Sequence, residues 1–188
     1  MKRISLLAVF SAVIALVPAM RSTTVIAPTF DQLVNDAEVI FQGSVTDVQA
    51  QWVGEGAQRH IVSYVTFQVE DAVKGEPSQS YVMRMFGGTV DGVTMAVSDS
   101  PSFNVGDRDI LFVEHNGTQF IPLVGIMHGR FQVQQDQTGN DVVVRADGAP
   151  VKDVARLGHA ESMSPDAGGN LSPEQFKAAI RARLQVVR

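Results

Sequence analysis

Two long runs, Glu38–Trp52 and His60–Val73, limit this chain more than any other feature. Both are rich in Val, Ile, Phe, Tyr and Thr, and a loop holding Gly54 and Gly56 separates them; such composition and punctuation read as a long β-hairpin. In the second run Val65, Phe67 and Val69 alternate with Thr66, Gln68 and Glu70. A period of two gives one dry and one wet face, the signature of antiparallel sheet. Gly43 interrupts the first run, and a glycine inside a strand marks a bulge or bend where a long strand coils. That placement predicts a mainly β domain over 29–145, a small closed or partly closed antiparallel barrel.

Further strands are predicted at Ser80–Phe86, Val93–Val97, Arg108–His115, Thr118–Val124, Gly129–Gln135 and Asp141–Arg145. Asn116-Gly117 lies between two apolar runs, and both residues tolerate the positive φ of a two-residue type I′ hairpin. Asp91-Gly92 carries the same chemistry, and Gly139-Asn140 predicts another hairpin. Short strands joined by turns make a meander and exclude the βαβ folds in which nucleotide sites form.

The flanks differ in kind. Lys2 and Arg3 precede a near-continuous apolar run from Ile4 to Val17, and Val17-Pro18-Ala19 supplies small residues for a signal peptidase, so residues 1–19 read as a signal peptide cleaved after Ala19. The run is shorter than the roughly 20 apolar residues a membrane span needs. The expected location is therefore secreted or periplasmic, with no membrane association after cleavage. Residues 20–28 read as a linker. Thr29-Phe30-Asp31-Gln32 has the form of a capping box opening a short helix over 30–36, with Phe30, Leu33 and Val34 inward. Residues 146–171 have no period and read as an irregular connector. Ser172-Pro173-Glu174-Gln175 then opens an amphipathic helix over 172–188, packed on the barrel through Phe176, Ile180 and Leu184 with Ala179 and Val187 beside them. Lys177, Arg181 and Arg183 fall on its polar side, expected to be a solvated face.

Composition narrows function. Without residues 1–19 the chain keeps 169 residues, enough for one core, and 13 basic against 20 acidic residues, a formal charge of −7. An acidic surface without a basic run repels phosphate backbones, so nucleic acid is not an expected partner. The absence of cysteine excludes disulfides, thiolate metal sites and thiol nucleophiles.

No catalytic, cofactor or metal residue is assigned from the pattern. His60, His115, His128 and His159 are scattered and form no H-x-x-x-H or H-x-H pair. No G-x-S-x-G elbow exists for a serine nucleophile; Gly43-Ser44 is explained by the bulge. Asp107 and Asp109 flank a strand start, where solvation accounts for them. Gly87-Gly88-Thr89 lacks the helix and lysine of a phosphate-binding loop and reads as a strand terminus. Asn116-Gly117-Thr118 and Asn170-Leu171-Ser172 match the N-glycosylation pattern but serve as a turn and a helix approach. Trp52 reads as the cap of the barrel end.

The order Phe30-Asp31-Gln32-Leu33-Val34, Ala37-Glu38-Val39-Ile40-Phe41-Gln42-Gly43-Ser44-Val45, then Val65-Thr66-Phe67-Gln68-Val69 running into Val73-Lys74-Gly75, with Phe103-Asn104-Val105-Gly106-Asp107 before Ile110-Leu111-Phe112, resembles a group of uncharacterised exported bacterial proteins. More distantly it is similar to the OB-type barrel of netrin-like and tissue-inhibitor-of-metalloproteinase domains. The resemblance spans about residues 30–115 and implies an OB-like barrel. The disulfide-tied Cys-x-Cys wedge of those inhibitors has no counterpart here, so no functional residue is transferred. The expected function is an exported non-enzymatic binding module for a protein or cell-envelope partner. The alternatives are an inhibitor or companion of a secreted protease, acting through loops 53–59 and 87–92, and a small extracellular hydrolase with a dispersed site, for which His128 and Asp107 would be the residues to change.

Overall fold

The computed structural model describes residues 27–159 and 168–186; the expected signal peptide and most of the 20–28 linker lie outside them. Helix α1 (Phe30–Asp36) opens with the full capping box, Thr29 and Gln32 each satisfying the other's backbone N–H. Strands β1 (Val39–Val53) and β2 (His60–Lys74) form the predicted hairpin, followed by β3 (Ser80–Phe86), β4 (Gly88–Val90), β5 (Val93–Met95), β6 (Arg108–Val113), β7 (Arg130–Gln135) and β8 (Asp141–Val144). Helix α2 (Pro173–Val186) follows, opened by the Ser172–Gln175 box. No helix of the described residues is long and apolar enough to cross a membrane.

The fold is mainly β: a six-stranded antiparallel sheet in the order β3-β2-β1-β6-β7-β8, with β4 and β5 as a separate two-stranded ribbon. Strand β1 runs along β2 for its whole length and shares its first half with β6. Three register shifts bend the β1–β2 pair. One falls at Gly43, as the sequence predicts, but its extra residue is Glu70 on the partner strand. A Cβ at Gly43 would lie 2.6 Å from the Gln68 carbonyl oxygen, so the glycine is there for close backbone approach.

The sheet does not close. Among the described residues no ladder joins β3 to β8, which corrects the closed-barrel expectation. Each edge is satisfied another way. Leu171 accepts from Val143 N, and Val144 bridges Pro150 on the outer side of β8. On β3, Asn116 Oδ1 accepts from Arg84 N at 3.0 Å, Asn116 Nδ2 donates to Val82 O at 2.9 Å, and the Phe120 carbonyl accepts from Phe86 N at 2.7 Å. A side-chain amide thus stands in for a strand.

That role corrects two expectations at once. Thr118–Val124 is not a strand but a series of turns with one bridge, Val113 to Leu123. Asn116-Gly117 is not a type I′ hairpin, because the positive φ values fall on His115 (49°) and Gly117 (94°) rather than on both central residues. Asp91-Gly92, with φ of 51° and 77°, does make the two-residue turn between β4 and β5. Gly139-Asn140 closes the β7–β8 hairpin, where Asp136 accepts from Thr138 N and Asn140 N.

Both faces of the sheet are buried. One packs Ile40, Ile110, Phe112, Phe131 and Val143 against Phe30, Leu33 and Val34 of α1 and Phe176 and Ile180 of α2. Val151 and Leu157, from the stretch expected as an irregular connector, complete that layer. The other face packs Phe41, Val65, Phe67, Met83, Met85 and Leu111 under the segments carrying Phe103, Ile121 and Leu123.

The polar side of α2 is a further correction. Lys177 is only 3 % exposed and donates to Asp71 at 2.8 Å while pairing with Glu174 at 2.7 Å. Arg181 reaches Asp71 and Arg183 reaches Asp31, each at 2.6 Å. Burial alone would raise the Asp71 carboxyl, but its bonds to Lys177 and Arg181 outweigh that and hold it below its usual range. The helix is docked through both its apolar stripe and its cations; Val187 lies outside the described residues.

Candidate functional site

On the face away from the helices, the distal halves of β1, β2 and β3 curve under the β4–β5 ribbon and leave a groove of about 460 Å³. Its apolar wall is Val48, Val65, Met85, Met95 and Phe103, and hydroxyls of Ser63, Thr89, Thr94, Ser100 and Ser102 line the rest. None of its lining residues is ionisable.

Local chemistry explains why the ribbon folds over the sheet. Gly87 and Gly88 hold φ of 101° and 131°, and a Cβ at Gly88 would meet Ser63 Oγ at 2.5 Å and Ala50 Cβ at 2.9 Å. Only glycine allows both the backbone conformation and the contact. Ser63 Oγ then donates to Gly87 O at 2.7 Å, Gly87 N to Ile61 O at 2.8 Å, and Ile61 N to the Met95 sulfur at 3.3 Å. The Gly87-Gly88-Thr89 stretch does begin at a strand terminus, and its glycines seat a flap.

From Ala96 to Phe103 the chain forms the other wall, a strap with no regular structure. Arg130 fixes its far end. Its Nε donates to Asp109 Oδ1 at 2.8 Å, Nη2 to Asp107 Oδ2 at 2.8 Å, and Nη1 to the Ser102 carbonyl at 2.5 Å; the guanidinium lies 4.0 Å from the Phe103 ring centroid. Asp109 is fully buried, and burial, opposed by Arg130, pushes its carboxyl up to about 6. Asp107 also accepts from Asn104 N at 2.9 Å, closing the Phe103–Asp107 turn. Asp107 and Asp109 are thus gathered on one arginine rather than presented as an open carboxylate pair.

The histidines are not brought together. His60 stacks on Phe86 at 5.6 Å and 11°, His115 bonds Glu38 at 2.8 Å, His128 is half-buried with its basicity lowered by burial, and His159 is exposed. Among the described residues no group of three or more His, Asp or Glu side chains is placed to hold a metal. Trp52 sits half-buried at the end of β1, under the Arg59 guanidinium at 4.2 Å. Asn116 spends its amide on Tyr81, Val82 and Arg84.

Sequence reasoning did not single out Arg130, Met85, Met95 or Gln42. The readable signal for Arg130 was weak, an arginine opening a strand in which Phe131 and Val133 alternate with glutamines; long charged side chains are fully buried only when paired, and its partners Asp107 and Asp109 lie more than 20 residues earlier in the chain. Compared with known proteins, the chain matches no family model, no curated protein and no solved structure.

Proposed function

We propose that this chain is an exported, non-enzymatic binding module whose groove takes an uncharged, largely apolar group presented by a protein or cell-envelope partner. The observation that carries this reading is the lining: about 460 Å³ of space with thioethers, aliphatic walls and neutral hydroxyls, and no charge. A charged ligand would enter such a site at a large desolvation cost. The volume falls within the usual range of ligand pockets, and methionines adapt their shape to an occupant. Export rests on the residues 1–19 pattern. A partly closed OB-type barrel is the finer fold reading, supported by the bent β1 shared between β2 and β6. Action on a secreted protease through loops 53–59 and 87–92 is kept as an outcome of partner tests, since the second of these loops is the flap itself.

The test is fluorescence titration with N-phenyl-1-naphthylamine, a neutral apolar probe. Saturable one-to-one binding to the wild type, lost in Ala96→Trp, is the expected result, because Ala96 is an exposed residue at the start of the strap that lines the groove. Binding that survives Ala96→Trp, or no saturable binding, would show that the groove is not the binding site.

A further inference from the structure

The strap that walls the groove has space on both of its sides. Behind it lies a second cavity of about 340 Å³, with Met127, Gln132 and Ala146 among its walls. Ser100, Pro101 and Ser102 line both this cavity and the groove. The middle of the strap is therefore a partition between two spaces rather than a layer packed on the core.

The span from Ser98 to Ser102 is tied at its ends and loose between them. Val97 packs into the apolar layer on the groove side of the sheet, and Phe103 meets Phe67 edge-on at 5.5 Å in the same layer. Among the described residues the span makes two hydrogen bonds, from Ser100 N to Val97 O at 3.2 Å and from Arg130 Nη1 to Ser102 O. The first closes a local turn in which Asp99 holds a φ of 61°, a left-handed conformation that costs an aspartate some energy. The second is the span's one hydrogen bond to a distant part of the chain, and the same guanidinium covers the Phe103 ring. The opposite wall is held more firmly, since Ser63, Gly87, Ile61 and Met95 bond the ribbon to the sheet and the Gly88 contact leaves it no slack.

The space behind suits the span as well as the groove does. Asp99, Asn104, Asp107 and Gln132 make the rear cavity polar, and a Ser-Asp-Ser-Pro-Ser span has no large apolar side chain to uncover by moving. Opening breaks the bond from Arg130 to Ser102 and leaves the Arg130 pairs with Asp107 and Asp109 in place. The latch thus releases without dismantling the buried node.

We propose that Ser98–Ser102 is a moving wall of the groove: it swings about Val97 and Phe103 into the rear cavity, and Arg130 latches it beside the groove. For an occupant of the groove, which rests on the binding reading above, that swing sets the rate of entry and exit.

The test is 15N relaxation dispersion on the full chain without ligand, followed by stopped-flow binding of N-phenyl-1-naphthylamine. The amides of Ser98, Asp99, Ser100 and Ser102 are expected to exchange together on the microsecond-to-millisecond scale of lid opening, while those of β1, β2 and β3 stay quiet. Asn104 and Ala146 are exposed and line the rear cavity but not the groove. Asn104→Trp and Ala146→Trp are each expected to fill the rear cavity, suppress the exchange, and slow probe entry and exit alike by roughly tenfold or more, with Kd held within about threefold. Arg130→Lys keeps the charge but loses the guanidinium fork, and is expected to raise the open population by roughly tenfold. Quiet amides across the span, exchange spread evenly over the sheet, or exchange unchanged in both tryptophan variants would overturn the proposal. Probe entry at the wild-type rate in both tryptophan variants would overturn it too. A span that exchanges and responds to these variants in a chain that binds no probe would support the moving wall and reject the groove as the binding site.

Discussion

The two faces of the one sheet are covered by different means, and the difference decides where the molecule has room. On the helix side, Phe176 of α2 packs on Phe112 and Phe131 of the sheet and on Phe30 of α1, with ring centroids 4.8–6.2 Å apart. Helices present a continuous apolar stripe that fills the space above a sheet. On the other side the distal cover is a flap and a strap. Neither has a repeating apolar face, so the groove stays open; a few hydrogen bonds seat the flap and a buried arginine fastens the strap. Close packing holds the first cover, and a charged hydrogen-bond node holds the second.

Phe176→Ala should show the packed side at its strongest. Removing a fully buried ring shared by three others is expected to cost about 3–5 kcal/mol, read as a lower midpoint in denaturant for the whole domain. A loss confined to α2, with the sheet unfolding at its wild-type midpoint, would show that the helix is a separate unit.

Arg130→Met should break the other cover. It strands the buried Asp109 and frees the Ser102 carbonyl and Phe103 ring, for an expected loss of about 3 kcal/mol, the low end for a broken buried pair because Asp109 can take up a proton. Hydrogen exchange and proteolysis should rise first in the 96–104 strap. Uniform exposure across the sheet would mean that the node holds the core rather than the cover.

The node also sets a pH dependence. The folded Asp109 carboxyl titrates near 6, above the roughly 3.9 of an unfolded aspartate, so the folded state binds the extra proton between those values. Stability from this group is fully present below about 4 and is lost as pH rises through 6, by up to about 3 kcal/mol. Wild type compared with Asp109→Asn across pH 4–7 isolates it, since the variant lacks the slope. Asp71, held low by Lys177 and Arg181, contributes the opposite way: its share is present above the unfolded value and fades as pH falls below it.

The smallest expected effect sits where the bent hairpin passes between the two layers. Gly43→Val places a Cβ 2.6 Å from Gln68 O, and shifting that backbone is expected to cost about 2 kcal/mol. An unchanged midpoint would show that the β1–β2 pair can part there without cost.

Most local signals survived where the chemistry that made them was local, the Asn116-Gly117 turn being the exception because Asn116 bonds to β3. The Thr29 and Ser172 capping boxes, the Asp91-Gly92 turn and the alternation of Val65, Phe67 and Val69 each involve residues within a few positions, and the fold keeps them all. The strand at Thr118–Val124 failed because edge propensity says nothing about which edge is free. Asn116 reaches β3 and closes the register that a hairpin would have used. Lys177 failed for a related reason: its polar position on α2 is a matter of sequence, while the Asp71 carboxylate that buries it comes from a strand 106 residues away.

By itself the sequence determined a mainly β chain between two capped helices, because period, capping and turn chemistry are written into neighbouring residues. The tertiary structure alone decided that the sheet stays open, that Asp107 and Asp109 converge on Arg130, and that Asp71 buries Lys177 of α2. Those features depend on contacts between distant segments, whose pairing follows from burial and charge compensation across the whole core rather than from any local pattern.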